Sequence, residues 1–201
     1  MPKVSPEYRE QRRRAILDAA VECFAAKGFH QTSMQDIVAA SGASPGAIYR
    51  YFTGKDEIVQ AIADERHARE AALLDAALAT GDLRTALHDL TRAYFDWLRD
   101  PEERLRRRLE VQVWAESLHD ERMAATITRG GADARAAWAR LIAEEQRRGT
   151  IAAGLEPVAV ARLMLAVLQG FILQQGWEPD ADIDAYVAVV DALVDRFFET
   201  P

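Results

Sequence analysis

Four histidines, one cysteine and 32 acidic residues are the groups with which this chain could do covalent or metal chemistry. Their spacing speaks against it. His30, His67, His88 and His119 show no metal-ligand interval. Cys23 has no evident histidine or acid partner; it sits among apolar residues and reads as a small core side chain, and a single cysteine excludes an internal disulfide. The carboxylates mostly alternate with arginines, as where Glu102 and Glu103 precede Arg104, Arg106, Arg107 and Arg108, the pattern of a solvated helix face laced by pairs one turn apart. There is no phosphate-cradling glycine loop and no nucleophile elbow. The sequence therefore predicts no catalytic residue, no metal, no cofactor and no enzyme.

Polar chemistry of another kind is concentrated between Thr32 and Lys55, TSMQDIVAASGASPGAIYRYFTGK. Ser33 followed by Asp36 is a capping-box spacing, so a short helix starts there and ends near Ser41, where Gly42 permits a tight turn. Ser44 caps a second short helix that begins on Pro45 and runs to Tyr51 or Phe52. Ile37, Val38, Ala40, Ile48 and Phe52 can face inward, which leaves Pro45, Gly46, Ala47, Tyr49 and Arg50 on the outer surface of the second helix. Two short helices joined by a glycine turn, over about 33–52, project the second helix into a DNA major groove. Small residues at its start allow close approach to base edges, and glutamine and arginine match adenine and guanine edges, so Gln35 and Arg50 suit base reading.

The elements around this segment are almost all helical, because apolar positions recur every three or four residues. The spacing predicts helices over about 6–27, 34–41, 45–52, 55–79, 82–99, 102–118, 121–149, 157–176 and 182–199. Thr53 and Asp56 form a cap-like pair before the fourth helix, and Gly130-Gly131 is a point at which the seventh could kink or split. The apolar run from Pro157 to Leu173 is interrupted by Arg162 and Gln169, so no membrane span is expected, and the polar, basic first residues do not resemble a signal peptide; the simplest location is the cytoplasm. The net charge of −7 is uneven. Residues 1–55 carry eight lysines and arginines against five acids, which leaves a basic head on an acidic body, as suits a protein that meets phosphate with one end.

At Arg12 through Lys55 the chain resembles the DNA-binding head of the tetracycline-repressor (TetR) family. The resemblance rests on the amphipathic first helix, Gly28-Phe29, Thr32-Ser33, Ile37, Gly42, Ser44 to Gly46, Tyr49, Tyr51-Phe52 and Lys55, with Ala43 standing where a valine is usual and Ser41 where alanine is common. It implies an all-α fold of about nine helices: a head over 10–70, and an effector-binding and dimerisation domain over 71–201. It places Gln35, Pro45, Gly46, Ala47, Tyr49 and Arg50 at bases or nearby backbone, and Ser33, Ser44, Tyr51 and Lys55 at phosphates. Ser33 and Ser44 also have a purely capping reading, and Tyr51 a packing one.

The resemblance implies a repressor that leaves a palindromic operator when a small molecule binds, acting as a homodimer through its last two helices. Leu163, Leu168, Phe171, Ile172, Tyr186, Val190, Leu193 and Phe197 form the expected interface. His88, Tyr94, Phe95, Trp97, Gln112, Trp114, Met123 and Trp138 are the expected pocket, with ordinary core packing as the alternative for each. An aromatic cage for a quaternary amine is possible there but not required. The opening Met1-Pro2-Lys3, Arg12-Arg13-Arg14 and the stretch from Arg108 to Glu116 resemble the branch of the choline-pathway repressor. The helix starting near Lys55 is expected to be the one covalent link between head and body. A helical scaffold of the same fold without operator specificity is the competing reading.

Overall fold

A computed structural model describes residues 5–198, so the Met1-Pro2-Lys3 opening lies outside the described residues. Among these, the chain is all helix and turn: α1 (Pro6–Lys27), α2 (Met34–Ser41), α3 (Pro45–Ile48), α4 (Lys55–Leu78), α5 (Leu83–Leu98), α6 (Pro101–Ser117), α7 (Glu121–Arg148), α8 (Pro157–Trp177) and α9 (Ile183–Phe198).

Local chemistry sets the boundaries that matter for function. Ser5 caps α1 by accepting the Tyr8 N–H, and Gly28 closes it at φ +82° with its N–H on the Phe24 carbonyl at 2.8 Å. The capping box of α2 is complete. The Asp36 N–H donates to Ser33 Oγ at 3.1 Å, the Ser33 N–H donates to Asp36 Oδ2 at 2.8 Å, and Gly42 ends the helix at φ +61°. Helix α3 stops at Ile48, earlier than expected, because the next N–H groups tighten to carbonyls three residues back: Arg50 to Ala47 at 3.3 Å and Tyr51 to Ile48 at 2.8 Å. Before α4, Glu57 rather than Asp56 answers Thr53, accepting its N–H at 2.6 Å and its hydroxyl at 2.8 Å. These two bonds hold the Glu57 carboxyl below the usual range. Helix α7 runs unbroken through Gly130-Gly131. A Cβ at Gly131 would meet only the Arg135 guanidinium, the movable end of a flexible side chain, so the expected kink is absent and the packing does not demand glycine.

The chain divides into two compact units. The first comprises the residues up to Arg66 together with Leu105–Thr126. Ile16, Leu17, Phe24, Ile37, Ile48, Ile58 and Leu109 are fully buried there. Ala40 is exposed, contrary to expectation, and Ala43 takes a buried position instead. Ion pairs tie the helices of this unit together: Arg13 with Glu65 at 2.7 Å, Arg106 with Asp18, and Arg66 with Glu110.

The second unit comprises His67–Arg104 and the chain from Ile127 onward. Its core is built on Leu74, Leu83, Leu87, Trp138, Ile142, Ile151 and Ala161. An aromatic cluster adjoins α8, with the Phe171 ring 4.9 Å from Phe95 and 4.4 Å from Tyr186. The chain passes between the units within α4, within α6 and within α7. The expectation of a single covalent link is thereby corrected: part of α6 folds with the head.

Helix α8 also corrects the membrane reading on composition. It is long and apolar enough to cross a bilayer, with a mean hydropathy of 1.6 over 18 residues, because one arginine is too little to lower the average. A core or interface helix of a soluble protein passes the same test.

Candidate DNA-binding face and ligand cavity

The second short helix is anchored by what it buries and defined by what it leaves out. Ala43, Ile48 and Phe52 are buried, whereas Ser44, Pro45, Gly46, Tyr49 and Arg50 are exposed and Ala47 is half-buried. Ser44 Oγ accepts the Ala47 N–H at 3.3 Å, so Ser44 is a cap whose hydroxyl hydrogen remains to be donated. Tyr49 is 53% exposed, a large side chain held outward at the C-cap of the four-residue helix. Gln35 is exposed at the start of α2. These side chains form one outward set because α2 and α3 bury Ile37 and Ile48 beneath them.

The remaining predicted phosphate contacts are already engaged. Ser33 donates its hydroxyl to Asp36 Oδ2 at 2.7 Å while accepting the Asp36 N–H, so its capping role uses both halves of the hydroxyl. Tyr51 is half-buried, its ring 6.4 Å from that of Phe52. Lys55 Nζ donates to the Phe29 carbonyl at 2.8 Å and to the His30 carbonyl at 3.4 Å, and lies 4.6 Å from the Phe29 ring centre. Two of its three N–H groups are thus committed to the turn after α1. Asp36 would repel DNA, but Lys27 meets it at 2.5 Å. That hydrogen bond, with those from Ser33, holds the Asp36 carboxyl far below the usual carboxylate range.

Sequence reasoning missed how the turn after α1 is held. The Phe29 N–H donates to Gln112 Oε1 at 3.2 Å, and His30 Nε2 lies 2.6 Å from Glu116 Oε2, both acceptors on α6. Thr32 closes the same turn from inside, donating its buried hydroxyl to the Gly28 carbonyl at 2.8 Å. Gln112 is thus a grip on the head rather than a pocket residue. No local pattern could have found it, since its partner is 83 residues away.

In the second unit a cavity of about 330 Å³ opens among α5, α7, α8 and α9. Of the predicted pocket residues, Tyr94 and Trp138 line it. The others do not, for visible reasons. Gln112, Trp114 and Met123 belong to the first unit. Phe95 is buried against Phe171, and Trp97 lies under the Arg69 guanidinium at 4.8 Å. His88 is held by Asp191 at 2.6 Å and Asp195 at 3.0 Å. Those two carboxylates raise the His88 pKa, Asp191 the more strongly, against the opposing effect of burial.

The predicted interface set also divides. Leu163, Leu168, Val190, Leu193 and Phe197 line the cavity, with Leu163 and Leu193 at its exposed rim. Phe171 and Ile172 are buried inside the unit, and Tyr186 packs on Phe171 and donates its hydroxyl to the Val167 carbonyl at 3.2 Å. Phe171 and Ile172 therefore have no surface to offer a partner, and their place in the interface is corrected to the protomer's own core.

Residues 16–62 match the family model of the tetR family of bacterial regulatory proteins, and residues 83–199, more than half the chain, match that of the C-terminal domain of BetI-type transcriptional repressors. The transcriptional repressor Rv1474c of Mycobacterium tuberculosis is 39% identical over 98 residues, 49% of this chain and 51% of the relative. The chain thus spans about half the length of that relative. The transcriptional regulator UidR of Escherichia coli is 26% identical over 189 residues, covering 92% of this chain and 87% of UidR. The structure of Salmonella enterica GusR superposes with a TM-score of 0.76 at 25% identity, covering 98% of this chain and all of that one.

Proposed function

This chain belongs to the TetR family of bacterial regulatory proteins, with a BetI-type repressor C-terminal domain, and on that premise we propose that it is a sequence-specific transcriptional repressor released from its operator by a small molecule. The observation that carries the reading is the outward set Pro45, Gly46, Tyr49 and Arg50 over the buried Ala43, Ile48 and Phe52. A scaffold that had lost DNA would have no reason to hold a tyrosine and an arginine outward in the turn that ends α3. Gln35 and Arg50 read base edges, Tyr49 and the start of α3 approach the backbone, and Ser44 and Lys55 meet phosphate.

Two copies, joined through α8 and α9, hold two such helices about 34–36 Å apart on a palindrome. Effector in the second unit favours a different spacing, by binding that arrangement more tightly. The change passes through α4, α6 and α7, and the bonds from Phe29 and His30 to Gln112 and Glu116 couple α6 to the turn beneath α2. A regulator of this kind works in the cytoplasm.

The test is fluorescence anisotropy of the protein with the promoter region of its own gene, in a salt series against random DNA. Binding at least a hundredfold tighter to the promoter region supports the reading. Equal, weak and steeply salt-dependent binding, repeated across a genomic selection, refutes operator specificity.

A further inference from the structure

We propose that the cavity of the second unit takes an uncharged, predominantly apolar small molecule and excludes quaternary amines. The cavity floor is made by Leu83, Leu87, Trp138 and Ile142, all of them buried, and its rim by the exposed Leu163 and Leu193, so the void is a cleft that reaches into the core of the unit. Its volume of about 330 Å³ falls within the range of small-molecule clefts. Thirteen of the seventeen lining residues are leucine, isoleucine, valine or methionine, and no ionisable acid or base is among them. Thr91 supplies a hydroxyl contact, and Tyr94 a second polar edge.

The charges on the neighbouring turns are spent elsewhere. On α9, Asp191 and Asp195 pair with His88, Arg84 and Arg92 of α5, while Val190, Leu193, Val194 and Phe197 of the same helix face the cavity. A cation entering would lose its water without gaining a carboxylate; of the three lining rings, Tyr94 is already packed against Phe95 and Trp97, which leaves Trp138 and Phe197 among thirteen aliphatic side chains rather than a cage of rings. An apolar cavity of this kind stays dry, and a dry void of this size favours an apolar guest.

The assignment rests on the regulator reading only for the role of effector, and the experiment keeps the two apart. The full chain is titrated with N-phenyl-1-naphthylamine, a neutral dye that brightens in apolar surroundings, with choline as competitor. The titration is repeated on Val160→Phe and Val190→Phe, which fill the cavity from two different helices. About one dye per protomer, no competition by choline, and at least tenfold weaker binding in either variant that keeps wild-type helicity are the expected results. Energy transfer from tryptophan to dye, compared in Trp138→Phe, locates the dye should both fillings misfold, and a clear loss of transfer is expected. Displacement by choline, undiminished binding in a folded filling, unchanged transfer, or dissociation of the protein by saturating dye would each overturn the proposal. Dye binding without DNA binding leaves the cavity assignment standing and removes the regulator. DNA binding with no dye binding does the reverse.

Discussion

Lys55 and Tyr49 were drawn from the same motif, yet their surroundings assign them different work. The ammonium of Lys55 clamps the Phe29 and His30 carbonyls and covers the Phe29 ring, so removing it leaves carbonyls at the end of α1 without their cation. Lys55→Ala should therefore lower both stability, by about 1 kcal/mol, and operator affinity, with the salt slope reduced by no more than about one unit. Tyr49 has no such second role: its side chain is exposed at the C-terminal end of α3. Tyr49→Ala should weaken operator binding about tenfold and leave the thermal midpoint unchanged. Paired melting curves and anisotropy titrations separate the two variants. A Tyr49→Ala protein of full affinity, or a Lys55→Ala protein of full stability, would contradict these assignments. Ser33 belongs with Lys55: its hydroxyl is used up in the capping box, so Ser33→Ala should cost about 1 kcal/mol of stability before it costs affinity.

Between elements, the most testable contact is the seam of α5 with α9. His88 places one ring nitrogen on each of two carboxylates, and both can accept only if both nitrogens carry a proton. The bond to Asp191 and then that to Asp195 raise its pKa, and the Asp195 carboxyl is lowered in turn, by His88 first and Arg84 second. Below the unfolded histidine pKa of about 6.5 the ring is charged in both states and the stabilisation is fully present. Above it the unfolded chain loses its proton first, so stability declines as pH rises through the raised folded value. The thermal midpoint should thus fall by about 2–4 °C between pH 6 and 8 relative to His88→Gln, which lacks the titrating group. Parallel pH profiles of the two proteins would show that the pair contributes nothing. This seam also marks what the sequence could and could not disclose. The caps at Ser5, Ser33 and Ser44 and the turn at Gly42 were legible, because each is a bond within a few residues. By sequence His88 and Gln112 both suit a pocket, since a polar side chain among aromatics looks the same whether its partner is a ligand, an acid 103 residues on or a backbone amide 83 residues back. Tyr94 and Trp138 do line the cavity, but most of its wall comes from Leu163 through Leu168 and Val190 through Phe197. Those residues carried a strong apolar stripe, and a stripe does not say which of two partners it meets.

Taken as a whole, the molecule is least complete along α8 and α9. Only 17% of the apolar window of α8 is buried, and Val158, Leu163, Val189 and Leu193 stand exposed on the two helices. Large apolar side chains left exposed on two helices in this way mark an interaction site rather than a finished surface. The partner that suits it is a second copy, because the palindromic operator proposed above would need two recognition helices and the first unit supplies one. Placing arginine at two of these positions leaves the fold of either unit untouched, since both side chains already meet water, but buries unpaired like charges in any symmetric pairing. Leu163→Arg with Val189→Arg should therefore sediment as a 22.4 kDa monomer of unchanged helicity, where the wild type should sediment at twice that mass. Operator affinity should drop by two orders of magnitude or more, because each half-site must then be bound without the effective concentration that the dimer supplies. Non-specific binding, which one head can support, should change far less. A double variant that remains dimeric would move the interface off these helices. One that becomes monomeric yet holds the operator at full affinity would detach DNA reading from dimerisation, and with it the mechanism by which an effector in the second unit could release the head.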